Sequence, residues 1–360
     1  MKIKLVPALL VLWIFACQQK QVAYVCKPCK LPCDTIIFDK PGTCPHCNMA
    51  LIKKSELVDE SSLQVNDVNL TTGSGVFLIE GAKGQEGKVI KVYYHKPKGY
   101  TANSKILMVI PGAGRNGDSY RDAWIETSKK HNVLVLSPKF EEATYSFEDY
   151  HMCGLIKESN LKNAIKRVNN TNMVTLDEDR FTYRLNFDQQ QWIFKDLDRV
   201  FDLVVKATKS TQNTYDLFGH SAGGQILHRL AVFSPNAKVN RIIASNSGFY
   251  TLPDFNTKMP FGIQNTRIQE KDLRSSFAKK LILLIGALDN ETETGGTLLR
   301  SPTVDKQGKH RLARAHYFYK FSEAKAKEIG VEFQWKIQIV PEVGHNHRKM
   351  GEQAAKLLYR

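Results

Sequence analysis

One stretch constrains this chain more than any other: Tyr215-Asp216-Leu217-Phe218 runs straight into Gly219-His220-Ser221-Ala222-Gly223-Gly224. A lone G-x-S-x-G string arises easily by chance, but here a strand-like apolar run precedes it and a helical pattern follows. The chain must leave a strand, reverse within a few residues and restart as a helix. Small residues on both sides of the serine let neighbouring elements approach that reversal. It raises Ser221 Oγ above the sheet, beside a helix N-terminus whose dipole favours negative charge.

The surrounding pattern supplies the sheet. Strands are predicted at Val76–Glu80, Val89–His95, Ile106–Ile110, Val133–Leu136, Tyr215–Phe218, Arg241–Ala244, Leu281–Ile285 and Phe333–Val340. Helical spacing fits Tyr120–Lys130, Trp192–Ala207, Gly223–Val232, His310–Ile329 and Arg348–Leu358. Two early strands followed by strand–helix alternation imply a mostly parallel, twisted sheet with helices on both faces, an α/β fold. Right-handed crossovers bring the loops after the strands to one edge. The long polar and aromatic region Glu141–Gln191 has no clear assignment and is expected to wall or partly cover that edge.

A serine hydroxyl needs a base to take its proton, and the base needs an acid to orient it. The predicted strand Leu281–Ile285 ends in Gly286-Ala287-Leu288-Asp289, so Asp289 is the candidate acid, with Glu291 the runner-up. The last predicted strand ends in Val340-Pro341-Glu342-Val343-Gly344-His345, which makes His345 the candidate base and His347 the second choice. An oxyanion needs two N–H donors. Ala222 supplies one, and Ala113 or Gly114 of the loop Pro111-Gly112-Ala113-Gly114-Arg115-Asn116-Gly117 the other. That glycine loop lacks the Lys-Ser/Thr of a phosphate cradle.

Pro111–Tyr120, Gly219–Arg229, Ser247-Gly248-Phe249-Tyr250, Pro260-Phe261-Gly262, Gln307-Gly308 with Arg311 and Arg314, and Val340–His345 together resemble the α/β-hydrolases related to polyhydroxybutyrate depolymerases. The resemblance spans most of residues 104–360. It implies an α/β-hydrolase fold and cleavage of a small or polymeric carboxylic ester through an acyl-serine intermediate, with no cofactor for that reaction. A peptidase or amidase would use the same machinery. In a different class, the chain could be an envelope metal-binding protein with a hydrolase-like scaffold. Phe249, Tyr250 and Trp192 are candidate pocket aromatics, although such residues more often belong to a core.

Five of the seven cysteines fall between Cys26 and Cys47. Cys26-x-x-Cys29 and Cys44-x-x-Cys47 can each place two thiolates on one side of a turn, giving four tetrahedral ligands for zinc. Cys33 is left over, as a fifth ligand or a lone thiol; His46 occupies the turn. Cys153 reads as a buried thiol. The stretch Tyr24 to Met49, through Pro41-Gly42-Thr43-Cys44-Pro45-His46-Cys47, resembles the heavy-metal-binding domain found ahead of bacterial metal-efflux proteins. Cys29 stands where that family has His. The resemblance implies a small zinc-ribbon-like module over residues 17–54. Disulfides are the alternative in an oxidising compartment.

Lys2 and Lys4 precede an apolar run, Leu5–Ala16, that is shorter than the ~20 residues of a membrane span but fits a secretory signal over residues 1–16. Ile14-Phe15-Ala16-Cys17 resembles a bacterial lipobox, which implies export, lipidation at Cys17 and attachment to a membrane of the cell envelope. An ordinary signal peptide is the competing reading. Residues 55–75 are polar and read as a linker ahead of the hydrolase domain at 76–360. A net charge of +15 suits anionic surfaces or polymers, yet the basic residues form no stripe or module of a nucleic-acid binder.

Overall fold

The computed structural model describes residues 23–26, 32–47, 51–54 and 63–360. The chain divides into two compact units, Met1–Asp59 and Glu60–Arg360.

In the first unit, Tyr24–Val25 pairs antiparallel with both Ile37–Phe38 and Ile52–Lys53. Its buried centre is Cys26, Cys33 and Cys44, edged by Ile36, Phe38 and Leu51. A centre of three cysteines is too small to stabilise a fold by apolar burial, and pieces of this size rely on a metal or cross-links.

The second unit is built on eight strands: β1 (Gly73–Glu80), β2 (Val89–Lys96), β3 (Ile106–Ile110), β4 (Leu134–Phe140), β5 (Tyr215–His220), β6 (Val239–Ser245), β7 (Lys280–Gly286) and β8 (Lys336–Val340). Their order across the sheet is β8-β7-β6-β5-β3-β4-β2-β1. The pairs from β8 to β4 are parallel; β2 runs antiparallel to both β4 and β1. Every residue of β3 and β5 is buried, as expected where helices cover both faces. Ile106, Met108 and Ile110 point into the larger core, with Leu197, Val200 and Val204 of α3 (Ile193–Thr208) and Ile226, Leu227 and Leu230 of α4 (Ala222–Phe233). The alternate residues Leu107 and Val109 pack on the other face against Trp124, Met350, Ala354 and Leu358, the last three from the C-terminal helix His347–Leu358. The expected mostly parallel α/β sheet is therefore present.

Several boundaries differ from expectation. The predicted helix Tyr120–Lys130 is two helices, α1 (Gly117–Asp122) and α2 (Ile125–His131); the break at Ala123-Trp124 buries Trp124 against Phe218 at a ring distance of 5.1 Å. Strand β4 continues through Pro138, which is tolerated because its parallel pairing with β3 ends at Leu136 and leaves that side of the proline without a ladder. Phe333 precedes β8 rather than starting it and packs on Phe277. Residues 63–75 are not a free linker: Val65 bridges Leu78, Leu70 is buried, and β1 begins at Gly73. Within 141–191, Met173–Leu176 pairs with Ile165–Arg167 and with Leu298–Arg300. Trp192 and Tyr250 belong to the larger core and Phe249 to a small satellite cluster with Phe261 and Val304.

Candidate active site

Strand β5 ends at His220, Ser221 takes φ 60° and ψ −117°, and α4 starts at Ala222. A positive φ at a non-glycine residue costs roughly 1–3 kcal/mol and persists only where the surroundings enforce it. Those surroundings need glycine: a Cβ at Gly219 would lie 2.5 Å from the Gly223 carbonyl oxygen, and one at Gly223 would run into the Ile110 carbonyl. The Ser221 N–H donates to the Ser245 carbonyl at 2.9 Å, tying the turn to β6. Ala222 is the first residue of α4, so its N–H has no intrahelical acceptor.

The glycine loop after β3 lies against this turn. A Cβ at Gly112 would be 3.5 Å from Ser221 Cβ. Ala113 and Gly114 are exposed beyond it. The hard-to-assign region buttresses the loop: the Tyr150 hydroxyl donates to the Pro111 carbonyl at 2.6 Å, and Arg115 of the loop donates to the carbonyls of Tyr145 and Ser146 as well as to that of Phe140.

Asp289 follows β7 and His345 follows β8, and the fold brings them together: His345 Nδ1 is 2.8 Å from Asp289 Oδ2. The carboxylate is fully buried and has two further donors, Asn246 Nδ2 at 2.6 Å and Arg311 Nη1 at 3.0 Å. Burial alone would raise its pKa. The His345 hydrogen bond and charge, joined by the Arg311 guanidinium, outweigh that and hold it below the usual carboxylate value. Among the described residues, the Ser221 hydroxyl makes no hydrogen bond. A relay of this kind is commonly open without substrate and tightens when the substrate arrives.

The runners-up sit elsewhere. Glu291 is exposed beside His310. His347 stacks on Tyr120 at 4.3 Å, and burial with the charges of Arg348 and His345 lowers its pKa to about 4. His220, fully buried with its ring 4.5 Å from that of His345, is held well below its ordinary value by burial and neighbouring cations. Both therefore stay neutral at pH 7. Cys153 is buried far from ionisation, its thiol pushed up to about 12 by desolvation. A cavity of about 700 Å³ lies between Phe181, Tyr183, Phe261, Tyr317 and Phe321, and none of Ser221, Asp289 and His345 lines it.

Sequence reasoning missed Asn246 and Arg311 as supports of Asp289. Asn246 lies just past β6 with φ 48°, a hint of a functional turn; Arg311 stood only among residues carrying a resemblance.

In the first unit, the Sγ atoms of Cys26, Cys33, Cys44 and Cys47 all lie within 4.8 Å of one another. Cys33, the cysteine left over in the sequence, thus joins the cluster; Cys29, like Cys17, lies outside the described residues. A tetrahedral site with metal–sulfur bonds of ~2.3 Å needs sulfurs ~3.8 Å apart, and Cys26 and Cys47 already stand at 3.6 Å. Burial opposes ionisation of Cys44, but the Cys26 thiol and the N–H groups of His46 and Cys47 outweigh it and lower its pKa to about 6. The donor set fits a soft cation. His46 is exposed and outside the cluster.

Residues 24–54 match the family model described as heavy metal binding domain. Among solved structures, poly(aspartic acid) hydrolase-1 from Sphingomonas sp. KT-1 is 33% identical, with 81% of this chain and 100% of that one covered and a TM-score of 0.69. LpqC, a poly(3-hydroxybutyrate) depolymerase from Bordetella parapertussis, is 27% identical over 80% of this chain and 90% of its own, with a TM-score of 0.68. No curated protein matches the chain.

Proposed function

Because the chain belongs to the α/β-hydrolase family of poly(aspartic acid) hydrolase, a family that its likeness to poly(3-hydroxybutyrate) depolymerase also marks, we propose that it is a serine hydrolase cleaving carboxylic esters through an acyl-enzyme. The observation that carries this reading is the Asp289–His345 pair, 2.8 Å apart, at the sheet edge where Ser221 occupies its constrained turn.

His345 Nε2 takes the Ser221 proton as Oγ attacks the carbonyl carbon, and Asp289 stabilises the imidazolium. The Ala222 N–H, with that of Ala113 or Gly114, binds the oxyanion. His345 then protonates the leaving alcohol, and a water activated by the same imidazole hydrolyses the acyl-serine. Arg311 and Asn246 keep Asp289 ionised and aimed throughout.

A second reading, amide hydrolysis, is favoured by one observation: the 33% identical relative is named for poly(aspartic acid), an amide-linked polyanion, and this chain carries a net charge of +15. Fluorophosphonate labelling tests the shared chemistry. Wild-type protein should label and Ser221→Ala should not; a folded wild type that resists labelling overturns both readings. Paired assays on an aliphatic polyester and on poly(aspartic acid) then separate them.

For the first unit, the reading is a structural zinc held by Cys26, Cys33, Cys44 and Cys47, where the metal would tie its three short strands together. The reading of residues 1–17 places the protein at the cell envelope, lipidated on Cys17. No helix among the described residues is long and apolar enough to cross a membrane, and the leader lies outside them. A mass shift abolished in Cys17→Ala tests the anchor.

A further inference from the structure

The segment between Asp289 and Leu298 does more than connect β7 to the next element. One Glu293 carboxylate oxygen, Oε2, accepts the backbone N–H of His345 at 2.6 Å. The other, Oε1, accepts the N–H of Gly295 at 2.7 Å. The carboxylate thereby joins the loop carrying His345 to the Gly295-Gly296 corner. That corner presses on the imidazole: a Cβ at Gly295 would lie 3.3 Å from His345 Cβ, and one at Gly296 only 2.7 Å from His345 Nε2. Gly344 has no room for a side chain either, because a Cβ there would run into the Glu293 carboxylate. The corner is fastened from outside. Asn172 Nδ2 donates to the Gly296 carbonyl at 3.0 Å, and the Asn172 carbonyl accepts from Leu298 N–H at 2.9 Å.

The contact with Asp289 fixes only one ring nitrogen of His345. Its loop, after β8 has ended, is held at Val343 by the Leu288 N–H at 2.9 Å and at Gly344 by Asn246 Nδ2 at 3.1 Å, and the His345 N–H itself donates to Glu293. We propose that Glu293 and Asn172 are positioning residues for His345, a clamp that sets both its backbone and the face of its ring. The proposal rests on the reading of His345 as the base. A carboxylate is required because both partners of Glu293 are N–H donors; an amide of the same shape would turn its own N–H groups toward one of them.

The test compares wild type with Glu293→Gln, Glu293→Ala and Asn172→Ala. The second-order rate of fluorophosphonate inactivation should fall ~10- to 100-fold in both Glu293 variants, the cost of about an ångström of misplacement. KM for a soluble ester should change little, while the midpoint of the pH–rate profile moves. Asn172→Ala should give a smaller loss of the same kind. Wild-type rates and profiles in both Glu293 variants overturn the proposal. If folded wild type does not label, the hydrolase reading fails separately. The clamp is then decided by the His345 Cε1–H NMR resonance, which should shift or broaden in Glu293→Gln and which, unchanged, overturns it.

Discussion

Replacing Arg311 with Met removes the buried cation beside the carboxylate behind the imidazole, together with its 3.0 Å bond to the Thr297 carbonyl. Arg311 Nη1 stands 3.0 Å from Asp289 Oδ1, with side-chain exposures of 2% and 0%. Removing one partner of a buried ion pair costs about 3–5 kcal/mol because the other charge is left uncompensated. Asp289 keeps Asn246 and His345 as donors, so the cost belongs at the lower end, about 3 kcal/mol. At roughly 2–4 °C per kcal/mol, that is a fall of roughly 6–12 °C in the melting midpoint of the large unit at pH 7. The pH dependence carries the sharper signature. The folded pKa of Asp289 is depressed, so its contribution is present above the ordinary carboxylate value and is lost as pH falls through the folded pKa. Without Arg311 the depression shrinks. The gap between variant and wild type should therefore be widest near neutrality and close on acidification below about pH 4. Thermal melts followed by circular dichroism across that range measure it. A variant that melts with the wild type at pH 7, or a gap that widens toward acid, refutes the argument that Arg311 acts through the ionised carboxylate.

Cys33→Ser should weaken the cobalt-thiolate charge-transfer band of metal-loaded protein, because one of four thiolates is lost, whereas a full band in that variant removes Cys33 from the ligand set. Tyr150→Phe loses the 2.6 Å bond to the Pro111 carbonyl, leaving a buried acceptor unpaired at about 1–3 kcal/mol; labelling should slow, with the loss read against the melting midpoint. Asp196 is buried and desolvation raises its pKa to about 7, so its stability contribution is present at acid pH and lost as pH rises through that value. Asp196→Asn keeps the oxygen that accepts the Ala82 N–H while shedding the charge, and should flatten the decline in melting midpoint between about pH 4 and about pH 7, where the unfolded carboxyl is ionised and the folded one is not. Asp289→Asn should slow acyl transfer by about four orders of magnitude, measured as the burst rate on an activated ester.

What the sequence made legible was whatever is local along the chain. The strand, turn and helix around Ser221 are contiguous, and Asp289 and His345 each follow a strand, so chain order and the one-edge rule for parallel sheets sufficed to name them as candidates. The supports were illegible for the opposite reason. Arg311, Asn246 and Glu293 meet Asp289 or His345 across separations of 22 to 52 positions, Asn172 reaches the Gly296 corner across 124, and nothing in their immediate neighbours says which loop they will reach. The cysteine cluster makes the same point at small scale: spacing pairs Cys26 with Cys29, but Cys33 starts no C-x-x-C pair, and only the short helical turn Pro32–Thr35 carries it into contact with Cys26, Cys44 and Cys47. A candidate serine, acid and histidine chosen by order alone thus point to a reaction without specifying its precision. That precision resides in groups whose only signature is where the folded chain puts them, so substitutions at Glu293 and Arg311 should degrade catalysis in a chain whose recognisable motif is untouched.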